Sequence, residues 1–168
     1  MGTVPARRSP RWAVASGALV ITLVVGACSD DGDTGCGPIT REALDPAYVV
    51  HVLGNETEVE YTSDPPTSGP HQLAPPVDGV VDEPISRPVQ VGVLERGDIL
   101  LQHGPDLEAS EVAELEALAG DGVVVAPSSE LPSPIVATAW LYKRTCATVD
   151  AAALEEFIDE RRGKGPEQ

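Results

Sequence analysis

Val89-Gln90-Val91-Gly92-Val93-Leu94, then Glu95-Arg96-Gly97-Asp98, then Ile99-Leu100-Leu101-Gln102-His103: how this run is read decides the fold. In the first six residues valines recur at 89, 91 and 93, a period of two that predicts a strand. Glu95–Asp98 has turn composition, and Ile99–His103 is a second apolar run ended by Gly104-Pro105. The pair reads as a hairpin.

The same pattern extends outward. Ala47–Leu53 (AYVVHVL) is β-branched and predicts a strand. Gly54-Asn55 marks a turn, and Thr57–Tyr61 a returning strand. Downstream, Ser110–Ala119 predicts a helix with Ser110 as N-cap and an apolar stripe of Val112, Leu115, Leu118 and Ala119, ended by Gly120. Gly122–Ala126 predicts a buried strand, and Ile135–Tyr142 another, with Trp140 as the largest core candidate. Asp150–Arg162 predicts a last helix, capped by Asp150, stapled by Val149 on Leu154 and stopped by Gly163. Residues 163–168 read as a frayed tail. Clustered hairpins with few helices give an α+β fold: a mostly antiparallel sheet with two helices packed on one side and a long Pro-rich loop.

That loop runs from Thr62 to Pro88 and holds seven prolines. Proline cannot donate to a sheet ladder and holds its neighbours extended. A connection this long inside a compact domain carries function more often than shorter ones do. Thr67-Ser68-Gly69-Pro70 predicts a tight turn, with His71 just beyond it.

The ends give the location. Arg7, Arg8 and Arg11 precede an uncharged apolar run, Trp12–Ala27, which Cys28 follows. A basic start, an apolar stretch and small residues before a cut make a secretory leader over 1–27. Val25-Gly26-Ala27-Cys28 resembles the bacterial lipobox, which implies a diacylglycerol thioether on Cys28 and cleavage before it. The reading is a lipoprotein on the outer face of the cell membrane. An uncleaved anchor and a simple secretory cut are the alternatives; 16 apolar residues fall short of the roughly 20 that span a bilayer. Residues 28–37 read as an acidic flexible tether, and 38–168 as one globular domain.

From Cys28 onward the chain carries 8 bases against 27 acids, a net charge of −19. Such a chain repels phosphate backbones, so nucleic acid is excluded as a partner. With Cys28 lipidated, Cys36 and Cys146 remain, and in an exported protein the simplest outcome is one disulfide between them. No C-x-x-C points to redox chemistry.

Several motifs resemble a bacterial family, domain of unknown function 3105. Tyr61 followed by Pro65-Pro66-Thr67-Ser68-Gly69-Pro70-His71 resembles the family's Tyr…Pro-Pro-x-Ser-Gly-x-His. Gly92-Val93-Leu94-Glu95-Arg96-Gly97 resembles its His-x-Leu-Glu-His-Gly segment. Ala126-Pro127, Ala139-Trp140, Phe157-Ile158 and Gly165-Pro166-Glu167 fall where the family has similar residues. The resemblance runs from about Gly35 to Glu167. Both histidines of the second motif are missing, with Gly92 and Arg96 in their places, and His103 stands where the family has an aromatic. Of any histidine-built site only His71 and Glu95 remain, and the family implies no activity.

Catalytic patterns are absent. Ser68, His71 and Asp64 lie close in sequence, but no G-x-S-x-G elbow surrounds them. His51, His71, His103 and Glu95 are metal-ligand types, yet no pair has ligand spacing. The sequence therefore assigns no catalytic residue, metal or cofactor. It is read as a non-enzymatic envelope lipoprotein that binds an envelope protein or cell-wall partner. The candidate surface is Pro65, Pro66, Ser68, Gly69, His71 and Glu95. The alternative is a metal-dependent or other hydrolytic envelope enzyme using His71 and Glu95. It requires those two and either His51 or His103 to converge in one pocket.

Overall fold

A computed structural model of the chain describes residues 1–3, 35–53, 59–73 and 77–166. The leader, Cys28, most of the tether and the Gly54-Asn55 turn lie outside the described residues. Chain contacts separate Met1–Asp30 from a second unit, Asp31–Gln168, to which all that follows belongs.

The strands are β1 (Thr40–Arg41), β2 (Gly79–Val80), β3 (Ile99–His103), β4 (Val123–Pro127), β5 (Ile135–Ala139) and β6 (Tyr142–Cys146). The helices are α1 (Arg87–Glu95), α2 (Ala109–Glu116) and α3 (Ala151–Arg161). One sheet has the order β1-β6-β5-β3-β4-β2. β4 pairs parallel with both β2 and β3, while β3–β5, β5–β6 and β6–β1 are antiparallel. The α+β class holds, with a mixed sheet in place of a mostly antiparallel one.

The difference starts in the run that opened the sequence reading. Val89–Leu94 is not a strand and forms no hairpin with Ile99–His103: it is the middle of α1. The alternating valines misled because this helix buries Val91, Gly92, Val93 and Leu94 together, so burial hides the helical period. Its ends are marked in the sequence. Pro88 lies in the first turn, and Gly97 takes φ +89° just past the end. The Gly97 amide donates to Leu94 and the Asp98 amide to Val93, the two bonds of a Schellman stop.

A third helix makes both sheet faces interior. Ile99, Leu101, Val123, Val125, Ile135 and Ala137 pack with Leu115 of α2 and with Leu154, Phe157 and Ile158 of α3. Leu100, Val124 and Ala126 point the other way, against Val93 and Leu94 of α1. Strands covered on both faces read as unbroken apolar runs, as β3 and β4 do. Phe157, wholly buried, is the largest core side chain; Trp140 is only half-buried, beside α1's face of the sheet.

Four more expectations change. Ile135–Tyr142 is not one strand: Leu141, at φ +62°, turns the chain between β5 and β6. Ala47–Leu53 has strand composition but forms turns, with only His51 bridged to His71, and Val59–Tyr61 lies outside any strand. Helix α2 starts before Ser110, and its cap is Glu108, whose amide reaches the Glu111 carboxylate at 3.4 Å. The tail is docked over residues 163–165: the Gly163 amide donates to the Gly97 carbonyl at 2.8 Å, and Gly165 lies so close to Glu95 and Gly97 that a Cβ there would overlap their backbone. Asp150 caps α3 as expected, accepting from the Ala153 amide.

Cys36 and Cys146 form a disulfide across a sequence separation of 110, with a Cα–Cα distance of 3.8 Å. Beside it the Gly37 amide donates to the Thr145 carbonyl. In the chain-entropy account a crosslink closing so long a loop stabilises by about 4–5 kcal/mol. Urea unfolding with and without reductant should show a loss of unfolding free energy of that order; coincident curves would contradict it.

Candidate functional site

Among the described residues the Pro-rich run is an irregular segment with a deeply buried middle. Every residue from Pro65 to His71 is buried. The run is held from all sides. The Ser68 hydroxyl accepts from the Asp45 amide, the Thr67 carbonyl accepts from the Leu141 amide, and Lys143 Nζ donates to the Asp64 carbonyl at 2.9 Å. The Asp64–Pro65 peptide is cis. Tyr61 lies over Gly69 and donates its hydroxyl to the Pro70 carbonyl at 2.8 Å. Pro65, Pro66, Ser68 and Gly69, expected as part of a binding surface, are therefore interior residues, because the hydrogen bonds of the run draw it into the domain.

The run delivers His71 to a backbone bridge with His51. The His71 amide donates to the Val50 carbonyl, and the Val52 amide donates to the His71 carbonyl at 2.8 Å. This parallel pairing sets the two imidazoles edge to face, 4.7 Å between centroids. Glu95 arrives from elsewhere, as the last residue of α1. Its Oε2 lies 2.6 Å from His71 Nε2. One ligand atom from each of His51, His71 and Glu95 lies within 4.8 Å of the others.

The three sit at graded depths: His71 is wholly buried, the Glu95 side chain 13% exposed, and His51 exposed. His71 Nδ1 lies 3.1 Å from the Gly69 carbonyl, which can only accept, so Nδ1 carries the hydrogen. In the neutral ring, Nε2 then presents a lone pair. It makes no hydrogen bond of acceptable direction among the described residues, although the Glu95 oxygen is near. A lone pair and a carboxylate oxygen brought this close call for a positive charge between them. The position of Glu95 adds to this, since a carboxylate at a helix C-terminus faces the negative end of the dipole.

His71 and Glu95, taken separately from the sequence, are thus brought together, and His51 joins them. His103 does not: it ends β3, and its Nδ1 lies against the Gly104 carbonyl. Ser68 is not paired with His71, whose ring nitrogens face Gly69 and Glu95. Arg96, which stands where the resembled family has a histidine, pairs with Asp98 at 2.7 Å. Residue spacing could not reveal the cluster, because a long-range bridge and a helix end assemble it.

Two polar side chains near the run, Lys143 and Tyr61, are withdrawn from water. Burial pushes the Lys143 ammonium below its ordinary value, partly offset by Glu42 and Asp64. Burial raises the Tyr61 phenol to about 12, with Arg87 opposing and Asp45 adding. A cleft of about 450 Å³ opens beside the run, lined in part by Tyr61, Pro65, Arg87, Gln90 and Gln102. It does not include the His–His–Glu cluster.

Two outcomes follow. Gly69 has φ +135°, and a Cβ there would lie 2.8 Å from the Tyr61 ring. Gly69→Ala should cost about 1–3 kcal/mol in urea unfolding; an unchanged midpoint would contradict both the backbone strain and the close approach of the ring. The Tyr61 phenol has a folded value raised above its unfolded one of 10.0. Its contribution to stability is full below pH 10 and lost as pH rises toward about 12. Ultraviolet titration should show a phenol step near that pH that disappears in Tyr61→Phe; loss of no late step would count against the burial.

Comparison with curated proteins and with solved structures finds no match to this chain. Residues 51–168 match a family described as protein of unknown function (DUF3105). The match takes in His51, His71 and Glu95 as well as β2 to β6 and all three helices, and the chain belongs to that family.

Proposed function

We propose that the chain is a cell-envelope lipoprotein, exported and held at the outer face of the cell membrane through Cys28. Its domain binds a partner at the face built by the Pro-rich run and the segment before it. The observation that carries the binding reading is apolar exposure around the cluster. Val49, Val50, Leu53 and Leu73 are 65%, 45%, 89% and 74% exposed, close in sequence to His51 and His71. Apolar side chains gathered in water mark interaction sites more often than ordinary surface. The buried Pro65–His71 run beneath them supplies a fixed floor.

The location rests on the leader and on the lipobox-like Val25–Cys28. The Cys36–Cys146 disulfide supports an oxidising compartment. Among the described residues no helix is long and apolar enough to cross a membrane, so attachment falls to the leader or to Cys28.

A second reading gains from one observation. His71, Glu95 and His51 converge, as a metal-dependent hydrolase using His71 and Glu95 requires. Among the described residues the cluster has these three members, and the exposed apolar side chains beside it are what a binding face presents. Binding is therefore the preferred reading.

Mass spectrometry of the mature protein should find Cys28 as the N-terminus, carrying diacylglycerol. Cys28→Ser should release the domain from the membrane fraction. An unmodified Cys28 or an intact leader would overturn the anchor. Crosslinking on intact cells should capture an envelope partner with the wild-type chain and lose it with Val49→Asp or Leu53→Asp. Equal capture by both would remove this face as the binding surface.

A further inference from the structure

We propose that His51, His71 and Glu95 bind one divalent transition-metal ion of the zinc class, with a fourth position open to water or to a ligand from solution. This deepens the binding reading by naming a ligand for the same face.

The donor set points to this class. Two imidazole nitrogens and one carboxylate oxygen suit zinc, copper or nickel, whereas calcium and magnesium take oxygen ligands. Three protein ligands leave a fourth position for water or a ligand from solution, whereas structural zinc sites are closed by four protein ligands. The separations fit a small adjustment. A tetrahedral ion with bonds of about 2.0–2.1 Å holds its donors about 3.4 Å apart. The His71–Glu95 pair, at 2.6 Å, must open by less than an ångström. The widest pair, within 4.8 Å, must close by about 1.4 Å or less. The closing falls to His51, whose side chain is the exposed one of the three.

The alternative is a protonated His71 paired with Glu95 and no metal. One observation weighs against it. An ion pair needs no third partner, yet the His51–His71 backbone bridge brings a second imidazole to the same point. A metal uses all three. The Nδ1–H to Gly69 carbonyl bond then has the role that an outer hydrogen bond has for a metal-bound histidine, fixing the tautomer and the ring plane. The metal would be held at the protein's edge, with His71 as its fixed ligand and His51 as the one that closes.

The test uses the untagged full chain in detergent with its disulfide intact, stripped with chelator and titrated with Zn²⁺ by calorimetry. Binding of about one equivalent is expected, unaffected by millimolar Mg²⁺ or Ca²⁺. Co²⁺ in its place should give the visible bands of a four-coordinate site. His51→Ala and Glu95→Gln should each weaken Zn²⁺ binding at least roughly tenfold while circular dichroism stays unchanged. His103→Ala should bind as wild type. His71 is left intact because its burial ties it to folding. Absence of stoichiometric Zn²⁺ binding, or wild-type affinity in both His51→Ala and Glu95→Gln, overturns the site and leaves the ion pair. Neither result depends on Cys28 or on partner capture, so failure here is distinguishable from failure of the envelope-binding reading.

Discussion

The chain reverses at Gly97, and much of the domain depends on how it does so. The left-handed backbone there closes α1 with two hydrogen bonds and feeds straight into β3, the strand flanked by β4 and β5. The same few residues receive the end of the chain, because Gly97 accepts from Gly163 and Gly165 packs on the Glu95 backbone. A helix end, the middle of the sheet and the tail after α3 are thereby fixed to one another. Glu95 is the last helical residue before this turn. Its carboxylate meets His71 at 2.6 Å from a helix end that stops at a glycine two residues away.

β6 gathers the rest. An acidic chain has few bases to spend on its interior, yet it buries two in succession. Lys143 reaches the Asp64 carbonyl at the head of the Pro-rich run, and Arg144 reaches the Gly37 and Ala153 carbonyls as well as Glu156. Two of these oxygens, those of Asp64 and Gly37, belong to irregular segments that offer them no ladder partner, and the third lies in the first turn of α3. The consequence is a Pro-rich run that behaves as core. The cost is visible in Lys143, whose charged form burial disfavours.

What was legible in the sequence follows from how local each signal is. Asp150 and Gly163 mark α3 because a cap and a stop act within one turn. β3 and β4 are legible because strands covered on both faces become plain apolar runs. α1 was misread since its valines fall at alternate positions, and only the Pro88 and Gly97 punctuation contradicts the strand. β6 was missed because Leu141 turns the chain without glycine, proline or asparagine. Ala47–Leu53 misled in the opposite way: its β-branched residues are not in a sheet, and several are exposed. At the site, residue types singled out His51, His71, His103 and Glu95. Choosing among them needed a bridge between residues 51 and 71 and a helix end at 95, and neither leaves a spacing rule behind.

The disulfide has a mechanical meaning beyond its effect on unfolding. A pull on the chain from its N-terminal side meets the folded unit at Cys36, before β1. β1 is a two-residue edge strand, which tension would peel away one hydrogen bond at a time. The bond to Cys146 gives the load another route. It passes directly into β6, which is laddered to β5 along its length, and bypasses the short ladder of β1 on β6. A pull from that side is therefore borne by the β5–β6 ladder, and the two-residue edge strand is spared.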